Sequence, residues 1–298
     1  MLGPETRLRA GDLEAVFLPR AGMLCASLRH RGEQLLGRVA DLAAAAVKGS
    51  TGGIPLLHPW ANRLAAPSYE AAGQAVVLDP GSPLLHPDGN GLPIHGVPWA
   101  KLAWELEDEG REALAASLDW SSGPLLAVFP FPHRLELEAR LDPGGLTVTT
   151  SLVATARAPV PVSFGFHPYL TLPGVSRARF QVELPPMFRL GLDELGIPTG
   201  AREPFAGLGG PLDRDYDDGF ACLPERPVFA LAGGGRRIDV AFLEGYPYAQ
   251  VFAPPGQDFV CFEPMTAPTN ALRSGEALRL VAPGKVFRAA FRISVGAA

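Results

Sequence analysis

The sequence predicts an all-β protein, a large antiparallel β-sandwich with few short helices, and three observations lead there. Apolar and polar residues alternate with a period of two from one end of the chain to the other, the pattern of half-buried antiparallel strands. Gly (34 residues) and Pro (31 residues) interrupt these runs often. Almost no stretch keeps the apolar stripe of an amphipathic helix. In chain order, strands are expected at 13–18, 72–79, 102–107 and 112–120, each a short run between turn-forming residues. In HRLELEAR, Leu135, Leu137 and Ala139 face one way while Glu136, Glu138 and Arg140 face the other. Segments 145–155 and 178–184 follow, and RRIDVAF repeats the alternation with Ile238, Val240 and Phe242. The run at 257–262 is continuously apolar at its end and reads as a fully buried strand. Near the C-terminus Phe287, Ala289, Phe291, Ile293 and Val295 alternate with Arg288, Arg292 and Ser294. The Ala-rich segment 39–47 has helical propensity but no clear polar face, so a short helix and an irregular segment are equally open there.

Composition bounds the function. With 298 residues, 47% of them hydrophobic and 19% charged, the chain is an ordinary globular one that buries roughly three quarters of its unfolded surface without staples. No Pro/Ser linker, repeat or charge shift divides it, so residues 1–298 read as a single domain. A net charge of −5 and the lack of a basic stripe argue against nucleic acid. The N-terminus carries charges where a signal peptide needs an apolar run, and no stretch is apolar enough for a membrane span. Cys25, Cys222 and Cys261 follow neither metal nor disulfide spacing, which suits a reduced, cytoplasmic protein. With no obvious apolar stripe, a monomer or weak homodimer is expected.

Four clusters carry unusual polar residues among Gly, Pro and aromatics: GGIPLLHPWANRL (52–64), GNGLPIHGVPW (89–99), SFGFHPYL (163–170) and DFVCFEPMTAPTNAL (258–272). An ionisable group embedded this way is costly unless it is paired or used. Glu263 follows the apolar run Phe259–Phe262 and precedes Pro264, which is expected to end the ladder. Desolvation there raises a carboxylate toward the range a general base needs; a loop cap or an arginine partner is the plainer alternative. His167, between Phe166 and Pro168-Tyr169, suits a proton donor beside a sugar ring or a core histidine bonded to a carbonyl. His95 is followed by Gly96, which permits close approach of backbone to a ligand or simply a tight turn. Arg63 can hold vicinal hydroxyls or make a surface ion pair. Asp217, in DRDYDDGF, can accept hydrogen bonds from a sugar or belong to a solvated acidic loop. His30, His58, His86 and His133 lie in turn-like or strand-edge contexts and are given no chemistry, although His58 sits beside Trp60 in one of the four clusters.

The ordered set ANRL, HG, HPYL, then EP followed by TNA, spanning about residues 50 to 272, resembles the aldose 1-epimerase (galactose mutarotase-like) family. The resemblance implies an antiparallel supersandwich without metal or cofactor that exchanges the α and β anomers of a free hexose. By it, Glu263 matches the general base, His167 the general acid and His95 the second active-site histidine. Arg63, with Asn62 beside it, matches the substrate-holding arginine, and Asp217 the substrate-binding aspartate, with Asp215 and Asp218 as near alternatives. Base and acid are expected on opposite sides of the pyranose, about a ring's width apart. Four other readings stay open. A hexose 6-phosphate needs a cationic clamp, and here Val97-Pro98-Trp99-Ala100 intervene between HG and Lys101. A non-catalytic carbohydrate-binding module, a glycosidase pairing Glu263 with Asp217, and a His/His/Glu metal site are the remaining ones. Sugar specificity is expected to reside around 65–90 and 187–225.

Overall fold

A computed structural model describes residues 2–212 and 214–298. Two large sheets dominate, and every ladder between their strands is antiparallel. The nine-stranded sheet runs, in spatial order, Leu208–Pro211, Gln181–Leu184, Val228–Gly233, Arg236–Glu244, Val286–Ala297, Gly145–Ala154, His133–Asp142, Ala113–Trp120 and Glu105–Glu109. The other runs Pro198–Phe205, Met187–Leu192, Tyr216–Ala221, Tyr248–Ala253, Val260–Met265, Gly165–Phe166 and Leu56–Leu57, with Tyr169–Leu170 joining it as a second partner of Val260–Met265. A four-stranded sheet of Thr6–Ala10, Leu13–Leu18, Leu24–His30 and Glu33–Gln34 precedes them.

The period-two segments form strands for the expected reason. Along His133–Asp142 odd-numbered side chains are buried and the even-numbered ones are exposed or half-buried. Buried side chains of this sheet meet the inner face of the other: Phe291 of Val286–Ala297 lies 5.0 Å from Phe166, and Phe229 of Val228–Gly233 lies 5.5 Å from Phe262, ring centre to ring centre. The outer face carries ion pairs such as Arg134–Glu107 (2.7 Å) and the bidentate Arg292–Asp142 pair (2.7 Å).

Several boundaries differ from the sequence reading. Segment 72–79 supplies only one arm of a small hairpin, Gln74–Val77 against Ser68–Ala71. Leu102 closes the 3-10 turn Trp99–Lys101, so the strand expected from 102 begins at Glu105. A second such turn, Arg177–Arg179, delays the strand expected from 178 to Gln181. The open question at 39–47 resolves as a helix, Leu42–Lys48, because the Asp41 carboxylate caps the Ala44 N–H (2.9 Å) and Gly49 ends it in the left-handed region (φ 70°). No helix among the described residues is long and apolar enough to cross a membrane.

His58 and His133 are not turn or edge residues. Both are buried, and their Nε2 atoms lie 3.0 Å apart. His133 occupies the odd, inward row of its strand, which is why it lies in the core. Its Nδ1–H donates to the Phe131 carbonyl (2.6 Å), leaving Nε2 to accept from His58. Burial lowers His133 to about 4 and His58 well below the usual histidine value, so the pair is neutral.

The face assignment has a direct test in Val286–Ala297, the strand between Arg236–Glu244 and Gly145–Ala154. Phe291→Ala is expected to cost about 3–5 kcal/mol in urea unfolding, as for a fully buried aromatic. Arg288→Ala, which removes only an exposed pair with Glu244, should cost less than about 1 kcal/mol. Equal losses would contradict the assignment.

Candidate active site

Alternation along neighbouring strands gives the shorter large sheet a second face, on which polar groups sit among small apolar clusters. On Val260–Met265, Val260 and Phe262 enter the shared core, so Cys261, Glu263 and Met265 face away from it. On Tyr248–Ala253, Ala249, Val251 and Ala253 enter that core, turning Gln250 and Phe252 to the same outer side. Register then fixes two rows across the strands. One runs Gly219, Gln250, Glu263; the next runs Asp217, Phe252, Cys261, Tyr169.

The strand does not stop at Pro264, as expected from sequence, but continues to Met265, with Pro264 opposite Ala249. Thr266 N–H bonds the Phe164 carbonyl on the side away from Tyr248–Ala253, and alternation points the missing Pro264 donor the same way. That side lacks a ladder between the Gly165↔Met265 and Tyr169↔Cys261 pairings, so proline is tolerated.

His167 fills this gap. Its chain is held by the bond from its N–H to the Pro55 carbonyl (3.1 Å), and its Nε2 lies 3.3 Å from Glu263 Oε1. The expected ring's-width separation is therefore wrong: the two groups stand side by side in contact. Both are buried, Glu263 to 1% exposure and His167 to 5%. The Tyr169 ring stacks on the imidazole at 4.3 Å, Phe252 meets it edge-on at 5.8 Å, and Thr51 Oγ1 lies 2.6 Å from the Tyr169 hydroxyl. Burial raises Glu263 well above the usual carboxylate range; Asp217 adds to this and Arg63 opposes it. Burial also lowers His167 well below the usual histidine value, helped by His95 and Arg38. Each charged form is disfavoured alone, which favours one proton shared by the pair.

His95 approaches His167 edge-on, ring centroids 5.6 Å apart. Its Nδ1 accepts the Asn62 N–H (3.2 Å), so the ring proton of neutral His95 resides on Nε2, a donor. Burial and Arg63 push His95 down to about 3. Asn62 (φ 58°) and His95 (φ 60°) both adopt the left-handed region, and the His95 N–H returns a 2.9 Å bond to the Asn62 carbonyl. Gly96 serves this turn rather than a ligand: a Cβ there would lie 2.3 Å from the His58 carbonyl oxygen. Arg63 is fixed by Asp88 (2.7 Å) and the Asn62 side-chain oxygen (3.1 Å), and its Nη2 is 3.9 Å from Asp217. Asp217 also accepts from Gln250 Nε2 (2.7 Å). Asp215 and Asp218 are occupied by Arg177 and Arg214 (2.7 Å each). The acidic stretch is thus partly strand, not wholly a solvated loop; its first residue, Asp213, lies outside the described residues.

All six candidate residues therefore converge. Asp88 and Gln250 escaped the sequence reading, although Gln250 is a lone amide in an apolar run, a visible signal. Asn270, of TNA, is structural: its side-chain oxygen accepts the Ala65 N–H and its own N–H bonds the Arg63 carbonyl (2.9 Å each). Among the described residues no group of three or more His, Cys, Asp or Glu is placed to hold a metal ion. Chemically, the site offers a carboxylate–imidazole pair able to pass a proton, a neutral imidazole donor and an anchored guanidinium.

Comparison with known proteins agrees. The chain is 24% identical to the protein YihR of Escherichia coli (strain K12) over 319 aligned positions, covering 98% of this chain and 93% of that one. The Slr1438 protein of Synechocystis sp. PCC 6803 superposes with a TM-score of 0.81 at 22% identity, covering 99% and 96% of the two chains. A galactose mutarotase-like protein of Clostridium acetobutylicum superposes at 0.83 with 18% identity, covering 98% and 95%. Residues 9–294 match the family described as Aldose 1-epimerase, and with the fold and the converged motifs the chain belongs to that family.

Proposed function

We propose that the protein is an aldose 1-epimerase that interconverts the α and β anomers of a free hexose through the open-chain aldehyde. The observation that supports this reading most is the 3.3 Å contact between Glu263 and His167. The anomeric hydroxyl and the ring oxygen share one carbon, so groups serving them must stand beside each other. Glu263 removes the hydroxyl proton while His167 protonates the ring oxygen, and the ring opens. Rotation about C1–C2 turns the other aldehyde face inward. Closure then uses the reversed pair, protonated Glu263 as acid and neutral His167 as base. The pair holds one proton before and after each step, so no outside donor is needed. His95 Nε2–H donates to an oxygen that gains charge, and Arg63 with Asp217 anchors the hydroxyls.

Glu263→Gln and His167→Asn should each lower kcat/KM by about 10²–10⁴-fold, followed as the decay of optical rotation of freshly dissolved α-anomers. Near-normal rates in either variant would refute the roles.

Stability should move the other way. A carboxyl whose folded pKa is raised contributes stability that is complete below its ordinary range and lost as pH rises through the raised value. Glu263→Gln should therefore melt above the wild-type protein near about pH 8, with the advantage shrinking toward about pH 5. Calorimetric melting curves that show no such trend would contradict a buried, strained carboxylate.

A further inference from the structure

Residues 86–94 form a loop that folds back on the segment carrying Arg63 and leads directly into His95. A β-bridge joins Arg63 to Ile94, Leu64 N–H bonds the Pro93 carbonyl (2.9 Å), and Ile94 N–H bonds the His86 carbonyl (3.0 Å). Asp88, one residue before the cluster 89–99, closes this loop. Its Oδ1 accepts the N–H groups of Asn90 (2.8 Å) and Leu92 (3.0 Å), and its own N–H bonds the Leu92 carbonyl (2.8 Å). That leaves Oδ2 for Arg63 Nε, at 2.7 Å. Burial alone would raise Asp88, but the Leu92 N–H, Arg63 and the Asn90 N–H outweigh it and hold the carboxyl below its usual value.

A second loop repeats the same turn without the ion pair. Asp193 Oδ1 accepts the N–H groups of Leu195 and Ile197 (2.9 Å each), and Asp193 N–H bonds the Ile197 carbonyl (2.9 Å). Gly196 takes the left-handed region (φ 75°), as Gly91 does in the first loop (φ 78°). This loop also passes beside Arg63, since a Cβ at Gly196 would lie 3.1 Å from its Nη1. Among the described residues, however, the acids paired with Arg63 are Asp88 and Asp217, not Asp193. The turn thus closes on one carboxylate oxygen alone, and the bond from Asp88 Oδ2 to Arg63 is additional to it.

We infer that Asp88 is a positioning residue of the proposed reaction, its second carboxylate oxygen aiming Arg63 at the substrate. This rests on the epimerase reading and deepens it. Of the five N–H donors of a guanidinium, Asp88 takes the one on Nε and Asn62 one on Nη1 (3.1 Å), while Asp217 stays 3.9 Å from Nη2. A planar fork held at Nε cannot turn about its stem, so its outer donors are aligned before a ligand arrives. Without Oδ2 the stem turns freely, and binding must order it. Because the same loop delivers His95, one carboxylate ties the anchoring guanidinium to the segment that carries the neutral imidazole donor.

The test measures kcat and KM for anomer exchange of glucose and galactose by NMR, in wild-type protein and in variants of Asp88, Asp193 and Arg63. Asp88→Asn keeps the acceptor that closes the loop but loses the anionic oxygen that holds Nε. It should raise KM about 10- to 100-fold, the scale of a charge-assisted hydrogen bond, with kcat within about threefold. Asp88→Ser, another short acceptor for the loop, should match it. Asp193→Asn makes the same change in the unpaired turn and should leave both constants within about twofold. In the Arg63→Gln background Asp88→Asn should add less than about twofold. A KM change no larger than that of Asp193→Asn, a loss confined to kcat, or one undiminished by Arg63→Gln would overturn the inference. Exchange of the Arg63 Nε–H with water gives a reading that needs no turnover. It should be at least about 10-fold faster in Asp88→Asn than in wild-type protein or Asp193→Asn; equal rates would overturn the hold on Arg63. If wild-type protein accelerates neither sugar but this difference is present, the epimerase reading fails while Asp88 stands as the residue that aims Arg63.

Discussion

A carboxylate and an imidazole pressed together in a nearly dry position on a sheet face are the constraint to which the rest of the site answers. Either charge alone is expensive there, and only shared occupancy by one proton makes the arrangement tolerable. The surroundings bias that proton without fixing it: burial and Asp217 raise Glu263, while Arg63 opposes them. His95 and Arg38 press on His167 from other sides. A pair balanced this way is suited to release and recover a proton, as the proposed epimerisation requires.

The scaffold makes such a balance possible through rigidity. Glu263 projects from a strand paired along one side and, on the other, on both flanks of the gap that His167 fills, and its neighbours Phe262 and Val260 are locked in the shared core. His167 interrupts two short strands that bind the same partner at different registers, so its ring cannot drift from the carboxylate. The Asn62–Arg63 turn is tied to His95 on one flank and to Asn270 on the other. Much of what the sequence motifs contain serves this fixing: Gly96 clears the His58 carbonyl, and Asn270 orders the loop after Arg63.

Much of the site was legible because its residues are chemically conspicuous where they stand. Glu263 after an apolar run and His167 among aromatics are both dissonant with their surroundings, and dissonance of that kind marks a site. Asp88 was hidden because a single acid in a Gly/Pro-rich loop has no local signature. The choice among Asp215, Asp217 and Asp218 also lay beyond sequence, because it depends on which of them the strand Tyr216–Ala221 turns toward Gln250.

Alternation with period two is a local property, so the sequence by itself determined the all-β class, most of the longer alternating strands and the residue types of the chemistry, although Thr6–Ala10, alternating but only five residues long, escaped it. Weakly patterned strands escaped it. Pro198–Phe205 is largely exposed and Leu208–Pro211 is glycine-rich, so neither has an apolar row to announce it. The tertiary structure decided which rows align. That depends on register between segments far apart in the chain, and no local pattern encodes it. For this reason the His167 imidazole and the Glu263 carboxylate, expected across a ring from each other, meet side by side.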